Sequence, residues 1–267
     1  MKKTALAAIL ALAACRPAPT SDPLTAYEPP EGKRSFSLVV DKSQTQFLSA
    51  GDAVEVVLIV ETPRADATSE TRSETLAARA EVLRVKNDWS AGTGLIALAL
   101  TPEEAQVAAL AVDREDKLYL HKASAGDWKP RRKAEAGEPP ALEKDQRGLA
   151  VLAYPDQQEF LAPGDRVDVI ATRQGYKAGG KSELTALTIL QDVLILRAGP
   201  PEGDEEWAAV QLMVSTSQAQ VLTRASADEE HLALPVRAPG DRATRPVEPS
   251  KMSRKIGVEA ERSNTRL

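Results

Sequence analysis

The chain has 267 residues, a formal net charge of −5 at pH 7 and an aromatic content of only 4%. Proteins that bind nucleic acid through its phosphates carry a basic patch or stripe. No basic stretch interleaved with aromatic residues occurs in this sequence, so nucleic acid is not an expected partner. Because Cys15 is the single cysteine, an intramolecular disulfide is excluded.

The first 15 residues predict a lipoprotein signal peptide. Lys2 and Lys3 precede a run rich in Ala and Leu that is typical of a secretory signal and too short to span a bilayer permanently. The run ends in LAAC, which resembles a bacterial lipobox, and we expect lipid attachment at Cys15. An ordinary signal peptide with an incidental cysteine is the alternative.

Lipid attachment predicts where the protein is located. The expected location is the periplasmic face of the outer membrane, with the inner membrane as the alternative. The choice between the membranes depends on Arg16, which follows the cysteine, and on a sorting rule that only some bacteria follow.

The rest of the chain contains one unit twice. FLSAGDAVEVV at 47–57 and FLAPGDRVDVI at 160–170 are separated by 113 residues (160 − 47), and the match extends over roughly ninety residues in each copy. Repeats of this size are domains rather than solenoid units. The sequence therefore predicts a signal peptide at 1–15, a Pro-rich tether at 16–33, a first domain at 34–124, a flexible linker at 125–146, a second domain at 147–238 and a polar, largely disordered tail at 239–267.

Each repeat predicts a small α+β domain with the element order β-β-β-β-α-β. Valines at every second position after each Gly-Asp pair indicate strands with one buried face. Residues 61–74 and 173–183 are polar and are expected to be exposed hairpin loops. The segment 76–85 fits a helix as well as a strand, and its equivalence to the β-branched segment 187–196 favours a strand.

The Gly-Asp pairs, Gly51-Asp52 and Gly164-Asp165, predict structural turns. Glycine permits a positive φ, and the carboxylate accepts hydrogen bonds from amides that the turn leaves unpaired. The alternative is a carboxylate that binds a metal or acts as a base. Such a site would need an acidic or His partner at a matched position, and the repeat alignment provides none.

Both helices begin with a capping box. In this motif a Ser or Thr side chain accepts a hydrogen bond from the amide three residues later, while a Glu or Gln side chain accepts one from the first residue's amide. The predicted cap residues are Thr101 with Glu104 and Ser215 with Gln218.

Catalytic chemistry is not indicated by any motif. The two histidines, His121 and His231, occupy non-equivalent positions in the repeats, and no zinc-protease, nucleophile-elbow, phosphate-loop or paired-cysteine motif occurs. We therefore expect no enzyme activity, no catalytic residue, no metal and no cofactor.

The pattern FLxPGDxVDV, followed by a variable loop, a Val-Leu strand and an apolar strand that enters a capped helix, resembles the periplasmic C-terminal domain of Flp pilus assembly proteins of the CpaB/RcpC family. The resemblance is carried best by Phe160, Leu161, Pro163, Gly164, Asp165, Val167, Asp168 and Val169. The first repeat keeps this pattern with Ala50 in place of the proline.

The resemblance implies a non-enzymatic periplasmic component of the Tad secretion apparatus that associates with the outer-membrane secretin. Family members commonly begin with a membrane-spanning helix and an SAF-type β-clip domain. Here a lipobox opens the chain and a second copy of the later domain follows.

Two hypotheses about function follow. The first is a structural assembly factor of a Tad/Flp-type pilus or secretin complex, with a secretin or other pilus-assembly proteins as partners and a homo-oligomer or ring as the expected assembly. Partner choice would lie in the divergent loops. The alternative is a periplasmic module that binds glycan or peptidoglycan.

Overall fold

A computed structural model describes residues 27–63, 69–88, 92–123, 140–153, 157, 160–177, 181–198, 208–228 and 230–255. The predicted lipid-attachment site Cys15, most of the predicted linker and the end of the predicted tail lie outside these residues. Within the described part of the chain, no helix has the length and apolar character needed to cross a membrane.

The first repeat supplies five strands and two helices in the described ranges. They are β1 (Arg34–Asp41), α1 (Lys42–Thr45), β2 (Ala53–Pro63), β3 (Ser69–Asp88), β4 (Thr93–Leu100), α2 (Pro102–Asp113) and β5 (Lys117–Ala123). The second repeat supplies β6 (Arg147–Ala153), β7 (Arg166–Lys177), β8 (Lys181–Ala198), β9 (Ala208–Val214), α3 (Thr216–Ala227), β10 (His231–Ala233) and β11 (Val236–Arg237), and β12 (Ser250–Lys255) follows.

These elements confirm the α+β class, and the order β-β-β-β-α-β occurs in both repeats. Two details differ from the expectation. A short helix, α1, follows the first strand, and the last strand of the second repeat is divided at Pro235 into β10 and β11. Proline has no N–H to donate to a strand ladder, which explains the division.

All described strands belong to one antiparallel sheet rather than to two separate ones. Its order is β5-β2-β3-β4-β1-β11-β7-β8-β9-β6, with β10 also paired to β7 and β12 to β8. Within each half the last strand of the repeat lies at one side and the first strand at the other. The halves meet where β1 pairs with β11, Arg34 opposite Arg237 and Ser35 opposite Val236. The sequence predicts two domains held by a linker, whereas the structure joins the repeats through a shared sheet.

The two repeats also share the register of strand pairing in their long hairpins, β2–β3 and β7–β8. Val54 lies opposite Ala80 in the first hairpin, and Val167 lies opposite Val193 in the second, each 113 positions later (167 − 54 and 193 − 80). The bulges that follow these pairs occur at equivalent positions in both hairpins. Bulges require a specific local backbone, so the two halves share one detailed geometry.

The predicted hairpin loops are mostly strand. Pairing between β2 and β3 continues to Pro63 opposite Ser69, and pairing between β7 and β8 continues to Lys177 opposite Lys181. The polar composition concealed these strands because an alternating apolar pattern appears only where one face is buried. An antiparallel ladder itself is formed by the backbone and tolerates polar side chains on both faces.

The predicted disordered tail also differs from the structure, since residues 239–255 contain segments that contact the second repeat and the helix α2 of the first. The Arg245 amide donates to Gln191 Oε1 at 3.0 Å, and β12 pairs with β8 from Ser250 opposite Ala186 onward. Backbone pairing and polar contacts hold this segment. A composition poor in apolar residues therefore predicted disorder where there is order.

Each half buries one face of its sheet under a helix. In the first half, α2 places small buried residues against the sheet, and the core includes Phe36, Leu38, Ile96, Leu98, Ala105, Ala108 and Ala109. The same core continues into the second repeat through Ile170, Ala186 and Ala233. Helix α2 thus packs against its own half and against the second half, whereas α3 packs against the second half.

Candidate functional site

The two Gly-Asp turns have the same geometry. Gly51 and Gly164 have φ of 97° and 90°, in the region that side chains disfavour. The Asp52 carboxylate accepts a hydrogen bond from Ser49 N at 2.8 Å, and the Asp165 carboxylate accepts one from Ala162 N at 2.9 Å. Both carboxylates therefore satisfy amides of their own turn, which is the arrangement expected of a structural turn.

Both helix starts form complete capping boxes. Glu104 N donates to Thr101 Oγ1 at 3.2 Å, while Thr101 N donates to Glu104 Oε2 at 2.7 Å. In the second repeat Gln218 N donates to Ser215 Oγ at 3.3 Å, and Ser215 N donates to Gln218 Oε1 at 2.8 Å. The polar groups of the turns and caps therefore bond within their own segments, where they fix the ends of strands and helices.

The most unusual polar feature is a buried ring of four charged side chains at the joint between the repeats. Arg34 of β1 donates from Nε to Asp168 at 2.5 Å and from Nη1 to Asp241 at 2.7 Å. Arg237 of β11 donates from Nη1 to Asp168 at 2.7 Å and from Nη2 to Asp241 at 3.0 Å. We call these four residues the charged ring. It links the first repeat, the second repeat and the tail.

The charged ring is closed to water, because its side chains are at most 7% exposed. Two positive and two negative groups alternate around it, so each buried charge faces two opposite charges. Further hydrogen bonds complete the set: Arg237 Nη2 donates to Ala243 O at 2.5 Å, and Asp192 N donates to an Asp168 oxygen at 3.2 Å. Such pairing is what makes buried charges tolerable.

The ring favours the charged forms of Arg237 and Asp241. Burial alone would lower the pKa of Arg237, but the charge of Asp168 and hydrogen bonds to both carboxylates outweigh burial and raise it. Burial would raise the pKa of Asp241, but hydrogen bonds from Arg34 and Arg237 outweigh burial and hold it below the ordinary carboxyl value. Groups held so firmly in their charged forms suit a structural joint better than proton transfer.

An aromatic contact lies beside the ring. Phe160, the first residue of the second FLAPGD stretch, packs with Tyr27 against Leu83, Ala97 and Ala99 of the first repeat. The guanidinium carbon of Arg84 lies 4.7 Å from the centroid of the Phe160 ring, within the range of a cation–π contact. A small cleft opens here, lined by residues of both repeats that include Tyr27, Arg84, Phe160, Val236 and Pro239.

Helix α2 adds a fourth contact between the repeats. Gln106 is fully buried, and its Nε2 donates to Thr188 Oγ1 at 3.0 Å while its Oε1 accepts from Ser250 N at 3.2 Å. The joint therefore combines strand pairing, buried charge, an aromatic contact and a buried amide.

The histidines do not form a common site. His121 Nδ1 is 3.7 Å from Glu55 Oε2 on the surface, whereas His231 of β10 contacts Asp113 of α2 and so adds another contact between the repeats. In the described ranges no group of three or more His, Cys, Asp or Glu side chains could hold a metal ion.

Sequence reasoning missed the charged ring. One signal was available: Arg34 aligns with Arg147, and Asp168 aligns with Glu55, so each repeat has a basic and an acidic residue at these positions. The alignment does not say that the arginine of one repeat meets the carboxylate of the other.

The fold and the joint define a two-repeat α+β scaffold whose halves are fused through one sheet. Residues 140–237 match the family model of Flp pilus assembly protein RcpC/CpaB. The matched region is the second repeat with the residues just before it, less than half of the chain, and it supports the family that the sequence motif resembles. No curated protein and no solved structure matches the chain.

Proposed function

We propose that the chain is a non-enzymatic lipoprotein that serves as a structural assembly factor of a Flp-type pilus or its secretin complex. The observation that carries this proposal is the match of residues 140–237 to the RcpC/CpaB family, which implies a role in Flp pilus assembly. The lipobox-like sequence at Cys15 supports an anchor at the periplasmic face of the outer membrane.

The architecture of the joint supports a scaffolding role. Its ion pairs, its aromatic contact and its buried amide all serve to hold the two repeats in one relative orientation. The first repeat, with the strand order and register of the second, is in this proposal a second copy of the same family domain. A rigid pair of similar units presents related surfaces at a fixed spacing.

The partners in this proposal are a secretin or other pilus-assembly proteins. The two long hairpins, β2–β3 and β7–β8, share their register but differ in sequence. Variation confined to such segments is typical of surfaces that select partners. We assign partner choice to the ends of these hairpins.

Deletion of the gene in its host bacterium tests the proposal. We expect loss of surface pili by electron microscopy, restored by the full chain supplied in trans. Crosslinking in intact envelopes should recover a secretin or another pilus-assembly protein. Unchanged piliation in the deletion strain would contradict the proposal, and co-sedimentation of the purified protein with peptidoglycan sacculi would then favour the glycan-binding alternative.

The lipid anchor has its own test. A Cys15→Ser variant is expected to leave the membrane fraction while keeping the thermal midpoint of the wild-type fold, because Cys15 is remote in sequence from the described elements. The measurement is fractionation of cells after a high-salt wash, with the wild-type chain as control. Retention of the variant in washed membranes would contradict attachment through Cys15.

A further inference from the structure

The strands at the two ends of the sheet, β5 and β6, are counterparts of the strands that meet at the joint. By the repeat, β6 corresponds to β1, and β5 corresponds to β10 and β11. The joint between the repeats is the pairing of β1 with β11. One molecule therefore carries, at opposite ends of its sheet, both halves of a second joint of the same kind.

We propose that copies of this chain associate head to tail, with the start of β6 in one copy pairing with the end of β5 in the next. Counterparts in β2 and β7 differ by 113 positions, and counterparts in β5 and β11 differ by 114 (236 − 122). The internal pairs Arg34 with Arg237 and Ser35 with Val236 thus translate into Arg147 opposite Ala123 and Gly148 opposite Lys122.

Most residues of the internal β1–β11 pair are buried, whereas most of their counterparts on β5 and β6 are exposed to solvent. Arg34 and Val236 are 4% and 7% exposed in the internal joint. Their counterparts are open: Arg147 and Gly148 are exposed, and the Lys122 side chain is 54% exposed. Strand edges left in this state are ready templates for pairing with another chain.

A glutamine side chain accepts a hydrogen bond from the last strand of each repeat, in β5 as in the segment that leads into β11. Gln44 Oε1 accepts a hydrogen bond from Leu120 N at 2.8 Å, and its counterpart Gln157 Oε1 accepts one from Leu234 N at 3.0 Å. At the internal joint the contact of Gln157 coexists with the pairing of β11 just beyond it. The contact of Gln44 therefore leaves the end of β5 available.

The aromatic contact has an unoccupied counterpart. Phe47 corresponds to Phe160, yet Phe47 is 77% exposed. The surface that would receive it corresponds to the one that holds Phe160. It consists of Leu196, Gln211 and Met213, of which Leu196 and Met213 are 6% and 9% exposed. Phe47 is thus an exposed apolar side chain whose counterpart, Phe160, is partly buried in the internal joint.

Two sequence differences at that surface compensate each other in volume. Gln211 stands where the first repeat has Ala97, and it needs more room. Gly148 stands where the first repeat has Ser35, and the Gln211 amide occupies the space there, 2.8 Å from where a Cβ of residue 148 would lie. The larger side chain is therefore matched by a smaller one on the neighbouring strand.

The residues that make the polar contacts of the joint also have counterparts at the ends of the sheet, where Thr75 donates to Glu55 and Arg147 donates to Thr216. The pair Arg34–Asp168 corresponds to Arg147 and Glu55, whose side chain is 40% exposed. The pair Gln106–Thr188 corresponds to Gln220 and Thr75, which keep the same residue types and are both exposed. Because Ala123 replaces Arg237, the external joint has one arginine fewer and should be weaker than the internal one.

An interface between two different surfaces of identical chains generates a closed ring or an open filament. This inference goes beyond the pilus role and does not depend on it. Pili lost on deletion with a monomeric protein would refute self-pairing alone, whereas head-to-tail association with normal pili would refute the pilus role alone.

The test uses two variants of the full-length protein. Both carry Cys15→Ser, so that the one cysteine introduced into each variant is its only thiol. One chain carries Gly148→Cys together with Gln211→Ala, which removes the amide that a Cβ at position 148 would meet. The other chain carries Lys122→Cys. Oxidation of an equal mixture is expected to give disulfide-linked dimers, and oxidation of either chain alone is expected to give none, because the interface joins unlike surfaces.

Phe47→Ser added to the Lys122→Cys chain should weaken association at least about ten-fold by sedimentation velocity, as expected for truncation of an aromatic anchor. The matched control is Val39→Ser, another exposed apolar residue, which lies outside both surfaces and should change nothing. The proposal is overturned if the mixture gives no dimers, if either chain crosslinks with itself to the same extent, or if Phe47→Ser behaves like the control.

Discussion

Replacing Asp168 with Asn tests the charged ring most sharply. Asp168 accepts hydrogen bonds from Arg34 Nε, Arg237 Nη1 and Asp192 N. Asparagine keeps the size of the side chain but removes its charge, which leaves two buried guanidinium groups facing the single carboxylate of Asp241. Removing one partner from a buried ion pair costs about 3–5 kcal/mol, because the remaining charge stays buried without compensation.

That cost predicts a large change in thermal stability. For a unit of this size, 1 kcal/mol lowers the unfolding midpoint by about 2–4 °C, so Asp168→Asn is expected to lower it by about 6–20 °C. Circular dichroism at pH 7 on the full chain provides the measurement. The matched control is Glu55→Gln, the counterpart in the first repeat, whose side chain is 40% exposed.

The control should change stability little, since surface ion pairs contribute about 0–1 kcal/mol. Dilute protein is used for both variants so that self-association does not contribute. If Asp168→Asn and Glu55→Gln lowered the midpoint equally, the buried ring would not stabilise the joint and the reasoning would be refuted.

Three further predictions concern stability. Asp241→Asn should lower the free energy of unfolding at neutral pH. The pKa of Asp241 in the folded protein lies below the ordinary 3.8, so the stability difference from wild type is complete above about pH 5 and should shrink in urea titrations as the pH falls below 4. A difference that stays constant with pH would contradict this. Gly164→Val should cost about 1–3 kcal/mol through its positive φ, against little change for Ala150→Val in an exposed strand, and equal midpoints would show an unstrained turn. Thr101→Ala and Ser215→Ala should each cost about 1 kcal/mol in urea unfolding by loss of the helix cap, and an unchanged midpoint in both would argue against the capping boxes.

Much of the secondary structure of each repeat could be predicted from the sequence, because every segment could be compared with its counterpart in the other repeat. The segment 76–85 fitted a helix as well as a strand, and its alignment with 187–196 identified it as strand, in agreement with β3. The Gly-Asp turns and the capping boxes are local motifs, whose residues lie within four positions of one another, so their chemistry is readable from spacing alone.

Relations between distant segments could not be predicted in this way. The pairing of β1 with β11 joins residues about two hundred positions apart, and no periodicity marks a strand of two residues. The charged ring gathers Arg34, Asp168 and the neighbouring pair Arg237 and Asp241 from three separate segments. Buried charge is rare, so composition suggests surface positions for all four.

The polar strands could not be predicted from the sequence for a related reason. Both hairpin ends and β12 are held by backbone pairing with polar side chains on either face. Apolar periodicity reports burial rather than hydrogen bonding, and it gives no signal where a ladder is exposed to solvent.

The central claim is that the two repeats form one unit through β1 and β11, and a disulfide across that pair tests it directly. Ser35→Cys with Val236→Cys, in the full chain carrying Cys15→Ser, places two thiols opposite each other on antiparallel strands. Val39→Cys with Val236→Cys is the control, because Val39 lies four residues along β1, roughly 13 Å away. We predict a disulfide within the monomer for the first pair and none for the control. Free thiols in the folded first variant after oxidation would show that the repeats are not joined in this way.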